Sequence, residues 1–126
     1  MKLKHALMLL PALLLSSGVY ALTLAPYSAE TFTRMQAAGE PVALHFHASW
    51  CPTCRAQDNA LEVLKADPAL NITVLKVDYD KEAALKKQLK VRSQSTFIIY
   101  RGTEEKNRQI GGTSPDAIRA ALRSAL

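Results

Sequence analysis

"HASWCPTCRAQ", residues 47–57, holds both cysteines of the chain, Cys51 and Cys54, with two residues between them. A redox pair, half of a metal site and a short structural disulfide all use this spacing. A bridge here closes a very small loop and removes little entropy from the unfolded chain, so a purely structural disulfide is the weakest of the three. A closed zinc site needs four ligands, and one C-x-x-C supplies two. The surrounding elements have to decide.

Immediately upstream, "PVALHFHA" (41–48) is a short apolar run suited to a buried strand. From Cys51 to about Ala66 the pattern turns helical, with Ala56, Ala60, Leu61 and Leu64 on one face, until Asp67-Pro68 breaks it. "NITVLKVDY" (71–79) is β-branched and apolar, a second strand. "DKEAALKKQLK" (80–90) is an amphipathic helix with Leu85 and Leu89 at i, i+4. "TFIIY" (96–100) is a third strand, Arg101-Gly102 a turn, and "KNRQI" (106–110) a fourth strand at an edge. A helix precedes all of these, in "SAETFTRMQAAG" (28–39), with Ser28 as cap and Gly39 at its end. Another closes the chain in "SPDAIRAALRSAL" (114–126), with Ser114 as N-cap, Pro115 at the first helical position and Asp116 near the positive end of the dipole.

The order α-β-α-β-α-β-β-α predicts an α/β fold. Helices between the first and second and between the second and third strands imply right-handed crossovers and parallel pairing, and the tight turn makes the last pair antiparallel. The result is a central mixed four-stranded sheet with helices on both faces. Cys51 and Cys54 fall just beyond the carboxyl end of the first strand, where open α/β sheets place reactive groups.

The chain has 126 residues, enough for one domain. Its start reads as a secretory signal peptide: basic "MKLKH", an apolar run "ALMLLPALLL", then "SSGVYA" with Val19 and Ala21 satisfying the small-residue rule for cleavage. The apolar run is shorter than the roughly 20 residues a membrane-spanning helix needs. The alternative is an uncleaved N-terminal anchor. No cysteine follows the run to carry a lipid. Residues 1–21 are therefore expected to be the leader, with 22–126 as the functional domain. Cleavage removes Lys2 and Lys4 and brings the formal charge from +5 to +3. The basic residues are scattered and mixed with acids, which argues against a nucleic-acid surface. Export places the domain where disulfides form.

With Trp50-Cys51-Pro52-Thr53-Cys54 after a hydrophobic strand, and "VRSQSTFIIYRG" and Gly111-Gly112 in register behind it, the chain resembles the thioredoxin family from about Tyr27 to Leu126. The resemblance implies a thiol–disulfide oxidoreductase without a bound cofactor, its redox group being the Cys51–Cys54 pair. Cys51 is then the exposed nucleophile and Cys54 the buried resolving thiol. The position of Cys51 at a helix N-terminus independently favours its thiolate. Pro52 and Thr53 help to set the redox poise, Trp50 shields Cys51 and contacts substrate, and Ser95 and Thr96 belong to the substrate groove. Arg55 and Arg92 either add positive potential near the thiolate or are solvated surface.

Three positions depart from the family pattern. His45 stands where a buried acid is usual beneath the second cysteine, and His47 where an aromatic is common. The two are i, i+2 and share a face. Each is either a hydrogen-bonded core residue or functional, and the functional reading of His45 is as acceptor of the Cys54 proton. Ser95 replaces the family's cis-proline. A cis bond before a residue other than proline costs about 2.5–4 kcal/mol, so the Gln94–Ser95 bond is expected to be trans, the loop rearranged, and the Ser95 hydroxyl close to the sulfurs.

The compact domain leaves no room for the inserted helical or dimerisation domains of the oxidant and isomerase branches, which favours a monomeric reductase of other exported proteins. In a Gram-negative bacterium its place is the periplasm. Such a reductase needs electrons from a membrane thiol-transfer donor. Two other functions use the same residues: a metal- or cluster-binding protein, with Cys51, Cys54 and His47 completed in a homodimer, and a module that captures clients without turnover.

Overall fold

The computed structural model describes residues 21–126; apart from Ala21, the leader expected over 1–21 lies outside the described residues. The element order is β1 (Thr23–Pro26), α1 (Ala29–Ala37), β2 (Pro41–His47), α2 (Pro52–Leu64), β3 (Thr73–Asp78), α3 (Ala83–Leu89), β4 (Thr96–Arg101), β5 (Glu104–Ile110) and α4 (Pro115–Arg123).

The sheet has five strands, not four, in the order β1-β3-β2-β4-β5. The additional strand, β1, pairs in parallel with β3, Thr23 opposite Thr73 and Pro26 opposite Lys76. It is only four residues long, directly follows the leader-like segment and ends in proline, so it carries little strand signal of its own. An edge strand tolerates that proline because its missing N–H can face away from the ladder. The parallel pairing of β2 with β3 and the antiparallel β4–β5 hairpin follow the expectation. Strand β4 does not: it runs antiparallel to β2, because the connection through α3 brings the chain back beside β2 in the opposite direction and not by a parallel crossover.

Local signals explain the helix ends. Ser28 Oγ accepts from Thr31 N–H at 3.1 Å and Ser114 Oγ from Ala117 N–H at 3.2 Å, each satisfying an otherwise free first-turn donor. Helix α3 starts three residues later than its amphipathic pattern suggests. Asp78 Oδ1 accepts from the N–H groups of Asp80 and Lys81 and forms a local turn that competes with helix.

Both faces of the central strands are covered. Val42, Leu44 and Phe46 of β2 pack with Phe32, Met35 and Leu85 on the α1 and α3 side. Ala43 packs with Leu61, Leu64, Ile118 and Leu122 on the α2 and α4 side, together with Phe97 and Ile99 of β4. Strand alternation then fixes where His45 and His47 point: with Ala43, toward α2.

Candidate active site

Strand β2 ends at His47, and the chain turns through Ala48–Trp50 into α2, with Cys51 N–H donating to Ala48 O at 3.1 Å. Cys51 is the N-cap of α2 in an extended conformation, and Pro52 is the first helical residue. A sulfur therefore takes the capping position usually held by an oxygen: Cys51 Sγ accepts from Cys54 N–H at 3.1 Å. Pro52 has no N–H to leave unsatisfied in this turn.

Both cysteines are free thiols and both are buried. This corrects the expectation of an exposed nucleophile: Cys51 is 2 % exposed. Ala48, Cys54 and the partly buried Tyr79 enclose it. The Tyr79 hydroxyl donates to Arg92 O at 3.3 Å and so ties this wall to the loop before β4.

That loop carries Ser95. No cis peptide bond occurs among the described residues, so Gln94–Ser95 is trans, and Ser95 sits in the left-handed region at φ +60°. Three contacts hold its backbone: its N–H donates to Phe46 O at 2.9 Å, and its carbonyl accepts from Gly111 N–H at 3.0 Å and from Gln57 Nε2 at 3.1 Å. Its hydroxyl lies 3.2 Å from Cys51 Sγ and 3.2 Å from Cys54 Sγ.

The two thiols are driven apart electrostatically. Burial alone would raise the pKa of Cys51. The thiol of Cys54, the Ser95 hydroxyl and the N–H groups of Cys54 and Thr53 outweigh it and hold the pKa below the ordinary thiol value. Cys54 is pushed up, first by burial and then by its bond to Cys51, against smaller opposite effects from Ser95 and Ala48. Cys51 is the first to ionise and Cys54 keeps its proton.

The histidines face α2 as their spacing predicts. His45 is sealed from solvent; its Nε2 lies 2.9 Å from Gln57 Oε1 and its ring stacks on Phe97 at 4.2 Å. Burial lowers its pKa to about 4, with the Gln57 bond and Asp58 acting weakly the other way, so it is neutral near pH 7. Among the described residues it makes no hydrogen bond to Cys54. It reaches the sulfurs only through Gln57 and Ser95. His47 Nε2 lies 2.8 Å from Asp58 Oδ2, and Asp58 Oδ1 also meets Lys76 Nζ at 3.1 Å.

The remaining expected site residues are dispersed around this centre. Trp50 is 56 % exposed, with its indole N–H donating to Asp80 Oδ2 at 2.8 Å. Pro52 is exposed and Thr53 half-buried beside Cys51. Thr96 is buried and donates to Ser93 O at 2.8 Å, closing the turn before β4 rather than lining an open groove. Arg55 donates to Ser49 O, and Arg92 is exposed. A surface groove of about 800 Å³, lined by Leu24, Pro26, His47, Lys76 and Asp80 among others, touches neither cysteine. Among the described residues no cluster of three or more His, Cys, Asp or Glu side chains is arranged to hold a metal ion.

Sequence reasoning gave no role to Gln57, Asp58, Tyr79 or Asp80. Gln57 carried a usable signal: a polar residue one helical turn after Cys54, in line with Ala60 and Leu61 on the buried face.

Residues 23–124 match the family model for thioredoxin. A thioredoxin of Chlamydia trachomatis is 33% identical over 91 residues, covering 72% of this chain and 87% of the relative. The bifunctional thioredoxin reductase/thioredoxin of Mycobacterium leprae is 27% identical over 90 residues, and the chain spans 20% of that longer protein. Among solved structures, Trxlp from Edwardsiella tarda superimposes with a TM-score of 0.75 at 42% identity, covering 79% of this chain and 98% of the other. The fold, the capping thiol and its buried partner agree with these likenesses: the chain belongs to the thioredoxin family and carries the redox-active dithiol of a thiol–disulfide oxidoreductase.

Proposed function

We propose that this protein is an exported reductase of disulfides in other exported proteins, working as a monomer by dithiol–disulfide exchange. The observation that carries the reaction is the asymmetry of the two sulfurs, a stabilised Cys51 thiolate at the cap of α2 and a protonated Cys54 one turn later. Cys51 attacks a client disulfide; its sulfur bonds to one client sulfur and the other departs. Cys54 then attacks Cys51, the mixed disulfide breaks, and the client leaves with two electrons and two thiols. The dithiol supplies the electrons, and no bound cofactor takes part. The exposed Trp50, with Pro52 and Thr53, forms the rim on which the client docks.

The leader-like residues 1–21 support export, and the periplasm is the destination in a Gram-negative cell. Stabilising the reduced Cys51 makes the disulfide a better oxidant. The direction of flow is then set by the donor, and a membrane thiol-transfer protein fits that need. The test is thiol labelling of Cys51 and Cys54 in the exported fraction, with the mass of the mature chain. Reduced cysteines on a chain beginning at Leu22 support the reading. Fully oxidised cysteines reassign it as an oxidant, and retention in the cytoplasm removes the export.

A further inference from the structure

The second half of the exchange sets a proton problem. Cys54 is fully buried and must lose its proton before it attacks. Among the described residues no carboxylate hydrogen-bonds to either sulfur. Asp58 is engaged by His47 and Lys76. His45 offers its Nε2 to Gln57. Among the described residues the one hydroxyl hydrogen-bonded to both sulfurs is that of Ser95, at 3.2 Å from each.

We infer that the Ser95 hydroxyl is a catalytic proton relay that carries the Cys54 proton to the departing client sulfur. A hydroxyl can accept one hydrogen bond and donate another at the same time. In the mixed disulfide the client sulfur lies about 2 Å from Cys51 Sγ, one bond beyond the atom Ser95 already touches. As Cys54 Sγ attacks Cys51 Sγ, its S–H proton passes to Ser95 Oγ. The original Ser95 proton passes to the client sulfur as the bond from that sulfur to Cys51 breaks. One S–S bond forms and one breaks, Ser95 ends as it began, and the client leaves as a neutral thiol. No external base or solvent molecule is required, which suits a site where both sulfurs are buried.

The backbone of Ser95 is built to hold the hydroxyl there. Its N–H and carbonyl are pinned to β2, to Gln57 and to Gly111, and the left-handed φ turns the side chain toward the sulfurs. That conformation is uncommon outside glycine and asparagine. Gln57 also donates to Gly112 O at 2.9 Å, so one buried amide joins α2 to the segments before β4 and before α4. Gln57 is thus a positioning residue for the relay.

The inference rests on the exchange reaction alone, so failure of the export or electron-donor reading leaves it standing. The experiment follows resolution of a glutathione mixed disulfide on Cys51 by stopped-flow fluorescence of Trp50, the only tryptophan. The parent and Ser95→Gly are compared, since glycine accepts φ +60° without strain. In mixtures of light and heavy water the parent should give a curved, two-proton inventory. Ser95→Gly should be about tenfold slower or more near pH 7, with a linear inventory. It should rejoin the parent at a pH where Cys54 is ionised in both. A linear inventory in the parent, equal rates near pH 7, or a deficit that persists when Cys54 is ionised overturns the relay. A parent-like urea midpoint for Ser95→Gly, measured on the same samples, keeps the result separate from misfolding.

Discussion

His45 Nε2 and Gln57 Oε1 meet at 2.9 Å with both side chains closed off from water. The amide nitrogen of Gln57 already donates to two carbonyls, so its oxygen must face the histidine. His45 therefore carries its proton on Nε2 and is neutral, and its buried Nδ1 makes no hydrogen bond, with Asp58 Oδ1 3.9 Å away. Protonating that nitrogen places a charge in the core.

Stability should consequently fall with acid over a defined window. His45 takes up a proton at about pH 4 in the folded protein and near 6.5 when unfolded. The unfolded chain binds more protons in between, so the contribution is complete above pH 6.5 and is lost as the pH falls to 4. The loss is on the order of 3 kcal/mol. Urea midpoints at several pH values should show it, and His45→Phe should be less stable at pH 7 but flatter across this range. An equally steep profile in His45→Phe would assign the effect to the carboxylates instead.

Gln57→Leu should cost about 2–4 kcal/mol, because it strands the buried His45 Nε2–H and removes the amide bonds to Ser95 O and Gly112 O. It should also raise the Cys51 pKa, since Ser95 loses one of its three anchors. Denaturant unfolding and the pH profile of iodoacetamide alkylation measure the two effects independently.

At Ser95 two substitutions should differ sharply in their effect on stability. Proline requires φ near −65° and has no N–H for Phe46 O, so Ser95→Pro should lose about 3 kcal/mol or force the loop to rebuild. Ser95→Gly should change stability by less than about 1 kcal/mol, as relief of the left-handed strain offsets the lost hydroxyl. Ser95→Pro with parent-like stability would show that the loop has a second accessible conformation.

Asp80→Ala should release the indole of Trp50 from its only described hydrogen bond. Because the pair is exposed, folding should weaken by no more than about 1 kcal/mol. Tryptophan anisotropy should drop, and reduction of insulin should slow several-fold if the fixed ring is part of the client rim. Unchanged turnover with a freed ring would remove Trp50 from docking.

The succession of elements from α1 onward was legible because each announces itself: apolar runs at 41–48 and 96–100, and capped helices at Ser28 and Ser114. The direction of β4 was not, since a helical connection alone does not fix it. Nor was strand β1, since its four residues owe their conformation to β3 rather than to their own pattern. In the site, Cys51, Cys54 and the closeness of Ser95 could be read from spacing and resemblance. The burial of Cys51 could not, because it depends on Tyr79 and on the loop before β4, both distant in the chain. His45 illustrates the same limit. Its face followed from strand periodicity, but its partner, Gln57 rather than a sulfur, depends on how α2 is rotated on the sheet.

The parallel pairing of Thr23 with Thr73 also sets a schedule. During synthesis β1 emerges first, yet its only ladder lies on β3, beyond α1, β2 and α2. Until that partner exists β1 has nothing to add to, while β3 and β4 can assemble on either side of β2 without it. Closing so long a loop is slow compared with forming the β4–β5 hairpin. In the interval β3 is itself an open sheet edge, able to accept a foreign strand from another copy. The last few ångströms of sheet to form are thus the ones that guard the nascent domain against pairing with its neighbours.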